Sequence, residues 1–443
     1  MFSDRQLKVM ILPLFFEQLL VVLVGIGDTF IVSFCGEAAV SGVSLVNSFN
    51  TVFIFVFTAL ASGGAVVVSQ YLGRGDRGKA SEAVSQLLTV SALFSAGMTA
   101  IVLAGGRAIL AGLFGRVDDE VMEACRVYLR ISAYSYPALA IYNAGAALCR
   151  SVGKTSVTMY ISILSNVINM AGNCIGVFLL HMGVAGVAWP SLLARLCSAA
   201  AVTYICFQDR YEIRFCCRWI FQWNSKLQKT MLRIAVPNGI ESGIFQFVKV
   251  ALSSLVARFG TYQIAANGIA QSFWSMASLV CVAAGPVFIT VVGQCMGAGD
   301  GKKAEYYMKR LMKITVVFGL AWNGLILAAV PAVLRWYEIS GETKRLVLGA
   351  VSVHNLFSAF LFPFAESLGK GLRAAGDVTF TAAVGIFTAA GVRLFTAWAF
   401  AVALNMGLMG VVWSMVMDWA VRGAVYWARF KRGAWKEFKV IRE

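Results

Sequence analysis

Twelve apolar runs, each long enough to cross a membrane, follow one another along the chain at about 9–34, 45–72, 84–114, 121–148, 156–181, 184–208, 231–258, 268–296, 310–336, 345–371, 376–404 and 407–430. A hydrocarbon core roughly 30 Å thick needs about 20 residues of helix to span it. In lipid, every backbone N–H and C=O must be satisfied without water, which leaves helices as the form available to runs of this length. Only 14% of the residues are charged and 59% are hydrophobic, a composition far from that of a soluble domain. The longest connection, about 209–230, leaves no room for an extramembrane domain. The first run exceeds the apolar region of a cleaved signal peptide and lacks a small-residue cleavage site, so it is expected to remain as span 1.

The net charge of +16 would suit a nucleic-acid partner if it were clustered on one soluble face. It is distributed instead by membrane side. Counting loops and span ends alternately places 26 Lys/Arg on the side of the N-terminus and 8 on the other, with Arg195, Lys249, Arg393 and Arg422 inside spans. The positive-inside rule then expects both termini in the cytoplasm and the chain in the inner (plasma) membrane, with no nucleic-acid partner. The ten cysteines are scattered and show neither a disulfide framework nor zinc spacing.

An internal repeat organises the spans. At an offset of 224 residues, Pro13 meets Pro237, Glu17 meets Glu241, and "VSQYLGRGDRGKA" meets "VGQCMGAGDGKKA", with 17 identities over the 68 residues 13–80. "MGVAGVAW" at 182–189 meets "MGLMGVVW" at 406–413 at the same offset, while "LCRSVGK" and "LRAAGD" align after a small shift. Six spans per half is an even number, so both halves enter the membrane in the same direction. The expected fold is therefore an all-α integral membrane protein of twelve transmembrane helices in two parallel-repeat six-helix bundles. Its divisions are an N-lobe at 1–208, a basic cytoplasmic linker at 209–230 and a C-lobe at 231–443. The Gly-x-Gly-Asp loops follow helices and lack the Lys-Ser/Thr of a phosphate loop, so they are expected to be tight turns.

Two six-span halves, the span 1 pattern "LP...E.......G..DT..V...G", the turn "SQ.LG.GD", the span 7 opening "VPNGIE...FQ" and the later "LRAAGD" together resemble the multidrug and toxic compound extrusion (MATE) family. The resemblance covers essentially the whole chain. It implies a cation-coupled antiporter that exports organic, often cationic, compounds through a cleft between two lobes. It also implies that Asp28, in its "GDT" context, takes part in binding the coupling ion, and that acids of the second lobe contribute. The acids found there are Glu241, early in span 7, and Glu366 in span 10, seven residues before Arg373. The aspartate spacing of the sodium-driven branch is absent, so H⁺ and Na⁺ both remain open.

The polar residues within the spans point to the same places. Glu17 and Asp28 are eleven residues apart, three turns plus roughly 20°, so they share one face of span 1 about 16 Å apart along the axis. Such charges face a bundle interior or a watery cavity, because lipid would cost each at least about 2.5 kcal/mol. Ser162, Asn166, Asn169 and Asn173 make one stripe along span 5. Their carbonyls could coordinate Na⁺ held at Asp28 or accept from the protonated acid; the alternative is amides that bridge helices, worth about 0.6 kcal/mol each. Asn47 in span 2 and Gln271 in span 8 are repeat equivalents, read either as polar lining or as helix-packing groups. Lys249 sits eight residues after Glu241 and needs an anionic partner, for which Glu241 through water or an acid of another span is the candidate. Arg393 and Asp418 are expected to form a structural ion pair, with Arg422 one turn beyond. His181 and His354 are placed near outer loop ends, so no buried histidine relay is expected.

The sequence thus leads to a secondary antiporter working by alternating access. Asp28, Asn166, Asn169 and Asn173 are its expected ion-coupling residues, and Glu241, Lys249, Gln271, Glu17, Asn47 and Glu366 are expected at the substrate or in second-lobe coupling. No cofactor beyond H⁺ or Na⁺ is expected; the partners are a small organic substrate and membrane lipid, and the chain is expected to be a monomer. A lipid-linked oligosaccharide flippase is the alternative, disfavoured by twelve spans with acidic residues inside the membrane. An enzyme is disfavoured by the lack of a clustered nucleophile and base or of a metal triad.

Overall fold

The computed structural model describes residues 2–115, 117–208, 213–337 and 339–441; positions 209–212 of the expected linker and 442–443 of the expected C-lobe lie outside the described residues. The described chain is almost wholly helical. Its first half runs through α1 (Asp4–Ser33), α2 (Glu37–Arg74), α3 (Arg77–Phe114), α4 (Asp119–Tyr134), α5 (Tyr136–Ser151), α6 (Thr155–Cys174), α7 (Ala185–Phe207) and the short α8 (Cys217–Phe221). The second half runs through α9 (Ser225–Val256), α10 (Thr261–Ala277), α11 (Leu279–Gly297), α12 (Gly301–Arg335), α13 (Gly341–Phe362), α14 (Leu368–Ala375), α15 (Val378–Ile386), α16 (Leu394–Trp398) and α17 (Leu408–Arg432).

Eleven helical stretches among the described residues are long and apolar enough to span a membrane. The expected fourth span, 121–148, is instead two 16-residue helices, α4 and α5, separated at Ser135. Pro137 has no N–H to donate, so the ladder of α4 cannot run through it. Several spans contain wider π-turns, at Ile175–Leu179, Pro363–Ser367, Phe387–Arg393 and Ala399–Ala403, each of which shifts the helical register.

Contacts divide the chain into two compact units, Phe16–Val236 and Met1–Phe15 with Pro237–Glu443. The opening turns of α1 therefore belong with the C-terminal half. Asp4 pairs with Arg310, and the Phe15 ring lies 5.0 Å from that of Phe318 and 4.9 Å from that of Trp322. The first unit is built around Val46, Phe57, Leu129 and Tyr136, and the second around Val248, Val347, Ala389 and Val411. Large apolar side chains such as Phe30, Leu179, Phe247 and Phe395 stand exposed, as a surface solvated by lipid allows.

Repeat-equivalent positions adopt the same local backbone. Gly36 and Gly260 both have φ of 99°, and Gly75 and Gly299 turn with φ of 84° and 75°, values that a side chain would strain. Asp76 and Asp300 each cap the following helix by accepting from the N–H of Lys79 and Lys303 at 2.9 Å. The Lys303 hydrogen bond holds the Asp300 carboxyl below the usual carboxylate range.

The described part of the linker is docked on α3. Ser81 and Ser85 accept from the backbone of Arg214 and Cys216, Thr89 donates to the Ile220 carbonyl at 2.8 Å, and Gln86 donates to the Trp219 and Gln222 carbonyls. The tail is anchored likewise. Trp435 is fully buried and donates to the Phe430 carbonyl, Arg429 pairs with Asp377 at 2.7 Å, and Lys436 reaches Glu305.

Candidate functional site

In the first unit both acids of α1 reach α6, as their shared face requires, but they meet different chemistry. Glu17 is buried, accepts from Arg150 at 2.7 Å and from the Thr158 hydroxyl at 2.8 Å, and has the Tyr142 hydroxyl at 3.5 Å. It is a closed ion pair. Asp28 is half-buried and accepts from the Asn173 amide at 2.7 Å; among the described residues no cation stands within ion-pair distance of it. Asn173 also donates to the Asn169 carbonyl at 3.2 Å, and Asn169 donates to the Ser191 hydroxyl at 2.8 Å.

This chain leaves one acceptor free. Among the described residues the side-chain oxygen of Asn173 is buried without a hydrogen-bond partner, beside the amide nitrogen that holds Asp28. A buried lone pair without a donor costs free energy, and a small hard cation held by the Asp28 carboxylate could satisfy it. Asn166, on the same stripe, has a buried amide nitrogen without a partner among the described residues and is not joined to Asp28. Arg195 of α7 is within electrostatic reach of Asp28 and donates to the Ser135 hydroxyl at 2.6 Å, at the α4/α5 break. Tyr128 donates to Asn47 at 3.2 Å and Tyr136 to Asn50 at 2.6 Å, which places the span 2 amides on the same unit's polar wall.

In the second unit Glu241 is buried and accepts from Arg373 at 2.7 and 2.5 Å on its two oxygens. Arg373 also donates to Asn238 and, at 3.2 Å, to Thr381. Glu241 is thus committed to Arg373, so of the two partners expected for Lys249, Glu241 through water or an acid of another span, the first is taken by another cation. The arrangement repeats that of Glu17 with Arg150, because the two glutamates are repeat equivalents and the two arginines lie in "LCRSVGK" and "LRAAGD". Gly385 backs directly onto the Glu241 carboxylate, where an added Cβ would land on the carboxylate oxygen. Gly385→Ala is therefore expected to lower stability by about 1–3 kcal/mol, read as a depressed unfolding temperature in detergent.

Glu366, on the Pro363–Ser367 π-turn, pairs with Lys370 at 3.2 Å one turn away. Gln271 has no hydrogen-bonding partner for its side chain among the described residues, unlike its equivalent Asn47. Asp418 receives both Arg393 and Arg422 at 2.6 Å, so the expected pair is a triad. His354 corrects an expectation: it lies inside α13, is 2% exposed, and among the described residues has no hydrogen-bond partner on either ring nitrogen.

The sequence reading missed Arg150, Arg373 and Arg195 as members of these centres. The first two fall at the ends of apolar runs, where a basic residue reads as a topology signal; their repeated "R..G" context is the signal available. Arg195 stood inside a span, where an ionisable residue is a functional candidate by default.

The MatE family model matches the chain twice, over residues 13–175 and 237–399. The two matches are displaced by the same 224 residues as the sequence repeat. The chain is 24% identical to "Uncharacterized transporter YisQ" of Bacillus subtilis over 96% of this chain and 93% of that protein. It is 23% identical to "Probable multidrug resistance protein NorM" of Thermotoga maritima over 99% of this chain and 94% of that protein. Its fold matches a crystal structure of MATE in complex with MaL6, with a TM-score of 0.91 at 20% identity over 98% of this chain and 97% of the other. An outward-facing multidrug resistance MATE family transporter of the MOP superfamily matches with a TM-score of 0.91 at 20% identity over 98% and 96%.

Proposed function

The chain belongs to the MatE family, a family of multi-pass membrane transporters and not a class of enzymes, and from that premise we propose that it is a secondary antiporter. It exports small organic compounds, drugs or metabolites that carry positive charge, in exchange for H⁺ or Na⁺ by alternating access. Twelve transmembrane helices, α4 and α5 together forming the fourth, make two parallel-repeat lobes. Both termini lie in the cytoplasm and the protein works as a monomer in the plasma membrane.

The observation that carries this reading is the Asp28 centre: a carboxylate inside an apolar helix, held by an amide whose own oxygen is buried and unsatisfied. A coupling ion at that position would neutralise Asp28 and complete the coordination of Asn173. An organic cation would compete for the same negative charge, and the mutual exclusion of two ligands is what exchange requires. Glu17 and Glu241, each neutralised by an arginine, serve as structural clamps rather than as coupling acids. The flippase alternative draws no support from the relatives described above.

The test is uptake of a fluorescent organic cation into everted vesicles, under an inside-high H⁺ gradient and an inside-high Na⁺ gradient applied separately. Accumulation under one of them that collapses with an ionophore for that ion is the expected result. No accumulation above protein-free vesicles under either gradient would overturn the proposal.

A further inference from the structure

The cysteines are scattered along the sequence, but the fold brings two of them together within the first unit. Cys149, near the end of α5, and Cys206, the last residue but one of α7, are 57 residues apart in the chain, and their sulfurs lie 4.0 Å from each other. Both are buried free thiols. The close approach has a local cause. Gly145 stands one turn before Cys149 and Val202 one turn before Cys206, and a Cβ on Gly145 would come within 2.6 Å of the Val202 side chain. The glycine lets α5 and α7 pack tightly there. Because the two pairs follow in the same order along both helices, the contact recurs one turn later between the sulfurs. Thiols that face each other at this distance on tightly packed helices are within reach of a bond.

An apolar pocket lined by Leu148, Val152, Ile205 and Ile213 lies against both cysteines. Ile213 belongs to the linker, whose Phe215 N–H donates to the Cys206 carbonyl at 2.9 Å and whose Phe215 ring lies 5.5 Å from that of Phe207. The pair therefore sits where α7 passes into the linker, under apolar side chains that turn away ions and admit small uncharged molecules. It also joins two helices that hold the groups around Asp28. Arg150, the partner of Glu17, follows Cys149 on α5, while α7 carries Ser191, which accepts from Asn169, and Arg195, which donates to Ser135 at the head of α5. Packed helices rearrange by small sliding movements. A disulfide tolerates a narrow range of geometry, so a bond between Cys149 and Cys206 forbids sliding of α5 along α7.

We propose that Cys149 and Cys206 form a reversible disulfide that arrests transport, with a small uncharged hydroperoxide as the oxidant. One thiol takes an oxygen atom from hydrogen peroxide, becomes a sulfenic acid and releases water; the other thiol displaces that oxygen as a second water and closes the S–S bond. Two thiols and one peroxide thus give one disulfide and two waters, and the sulfurs lose two electrons to the peroxide. A soluble dithiol restores both thiols by exchange. On the cytoplasmic side proposed for the linker, such a bond is transient and acts as a sensor rather than a staple. The arrest of transport rests on the export reading above; formation of the bond does not.

The experiment treats the purified full-length protein in detergent with hydrogen peroxide, digests it without reduction and identifies crosslinked peptides by mass spectrometry. A crosslink between the peptides that hold Cys149 and Cys206, absent before treatment and removed by dithiothreitol, is the expected result. Both cysteines still open to iodoacetamide after peroxide and denaturation, or either one joined to a different cysteine, would overturn the proposal. Everted vesicles read the consequence. Peroxide should remove most of the gradient-driven uptake of the fluorescent cation by the parent, and dithiothreitol should return it. Cys149→Ser and Cys206→Ala proteins should each take up the dye at the parental rate before and after peroxide. Equal loss of uptake in parent and variants, or unchanged uptake by crosslinked parent, overturns the arrest. The crosslink and its reversal in the parent need neither variant to fold. Parent vesicles without uptake before peroxide contradict the export reading instead, and the crosslink, read in detergent without a gradient, decides the disulfide in either case.

Discussion

Asp28→Asn protein is expected to insert and fold like its parent and to lose gradient-driven uptake in everted vesicles. The amide keeps the shape of the carboxylate and can still meet Asn173, which holds Asp28 at 2.7 Å, so packing between α1 and α6 has no reason to fail. What disappears is the charge. Without it a proton or sodium ion has no anion to neutralise, and an organic cation has nothing to compete for. If coupling between the two ligands is worth about 1–3 kcal/mol, its removal costs a factor of roughly 5 to 150 in concentrative uptake. The residual signal should also stop responding to the gradient. Coupled transport at parental rates by well-expressed Asp28→Asn protein would move the coupling role away from this residue, towards acids such as Glu366, which is only partly exposed and paired with Lys370 one turn away.

The largest stability effect is expected at Arg373. Truncation to alanine leaves the Glu241 carboxylate buried among apolar helices, and also deprives Asn238 and Thr381 of their donor. Removing one partner of a buried ion pair costs about 3–5 kcal/mol, because the remaining charge is desolvated without compensation. Arg373→Ala should therefore express poorly and unfold at a markedly lower temperature. Pairing it with Glu241→Gln should restore much of the loss, since no charge is then stranded. An unchanged unfolding temperature in the single variant would mean that water or another cation reaches Glu241. Arg150, paired to Glu17 and partly exposed, should show the same pattern at smaller amplitude.

Much of the architecture was legible because it is local. Apolar runs of sufficient length dictate helices wherever lipid is the solvent, and the 224-residue offset located matching turns, caps and glycines that the structure reproduces at Gly36 and Gly260 and at Asp76 and Asp300. The shared face of Glu17 and Asp28 followed from 3.6 residues per turn, and both side chains do reach α6. The joint of α4 and α5 was not legible as a break, because a proline inside an apolar run can kink a span or divide it, and the neighbouring helices decide which.

The partners of the charges were beyond the sequence for a different reason. Glu17 and Arg150 are 133 residues apart and Glu241 and Arg373 are 132, and nothing in local pattern ties one to the other. For Lys249 the sequence offers Glu241 on its own helix or an acid of another span, yet a carboxylate takes whichever cation packing brings against it, and α14 brings Arg373 to Glu241. Counting along the apolar runs puts His354 near an outer loop end, while the helix that holds it runs on past it. The sequence by itself determined that this chain is a bundle of membrane helices, twice repeated, with acids on the face of span 1, because hydropathy and helical period act within a single segment. Which acid is clamped and which is open to an ion was decided only by tertiary structure, because electrostatic energy in a low dielectric depends on the neighbours a few ångströms away and not on the residues next in the chain.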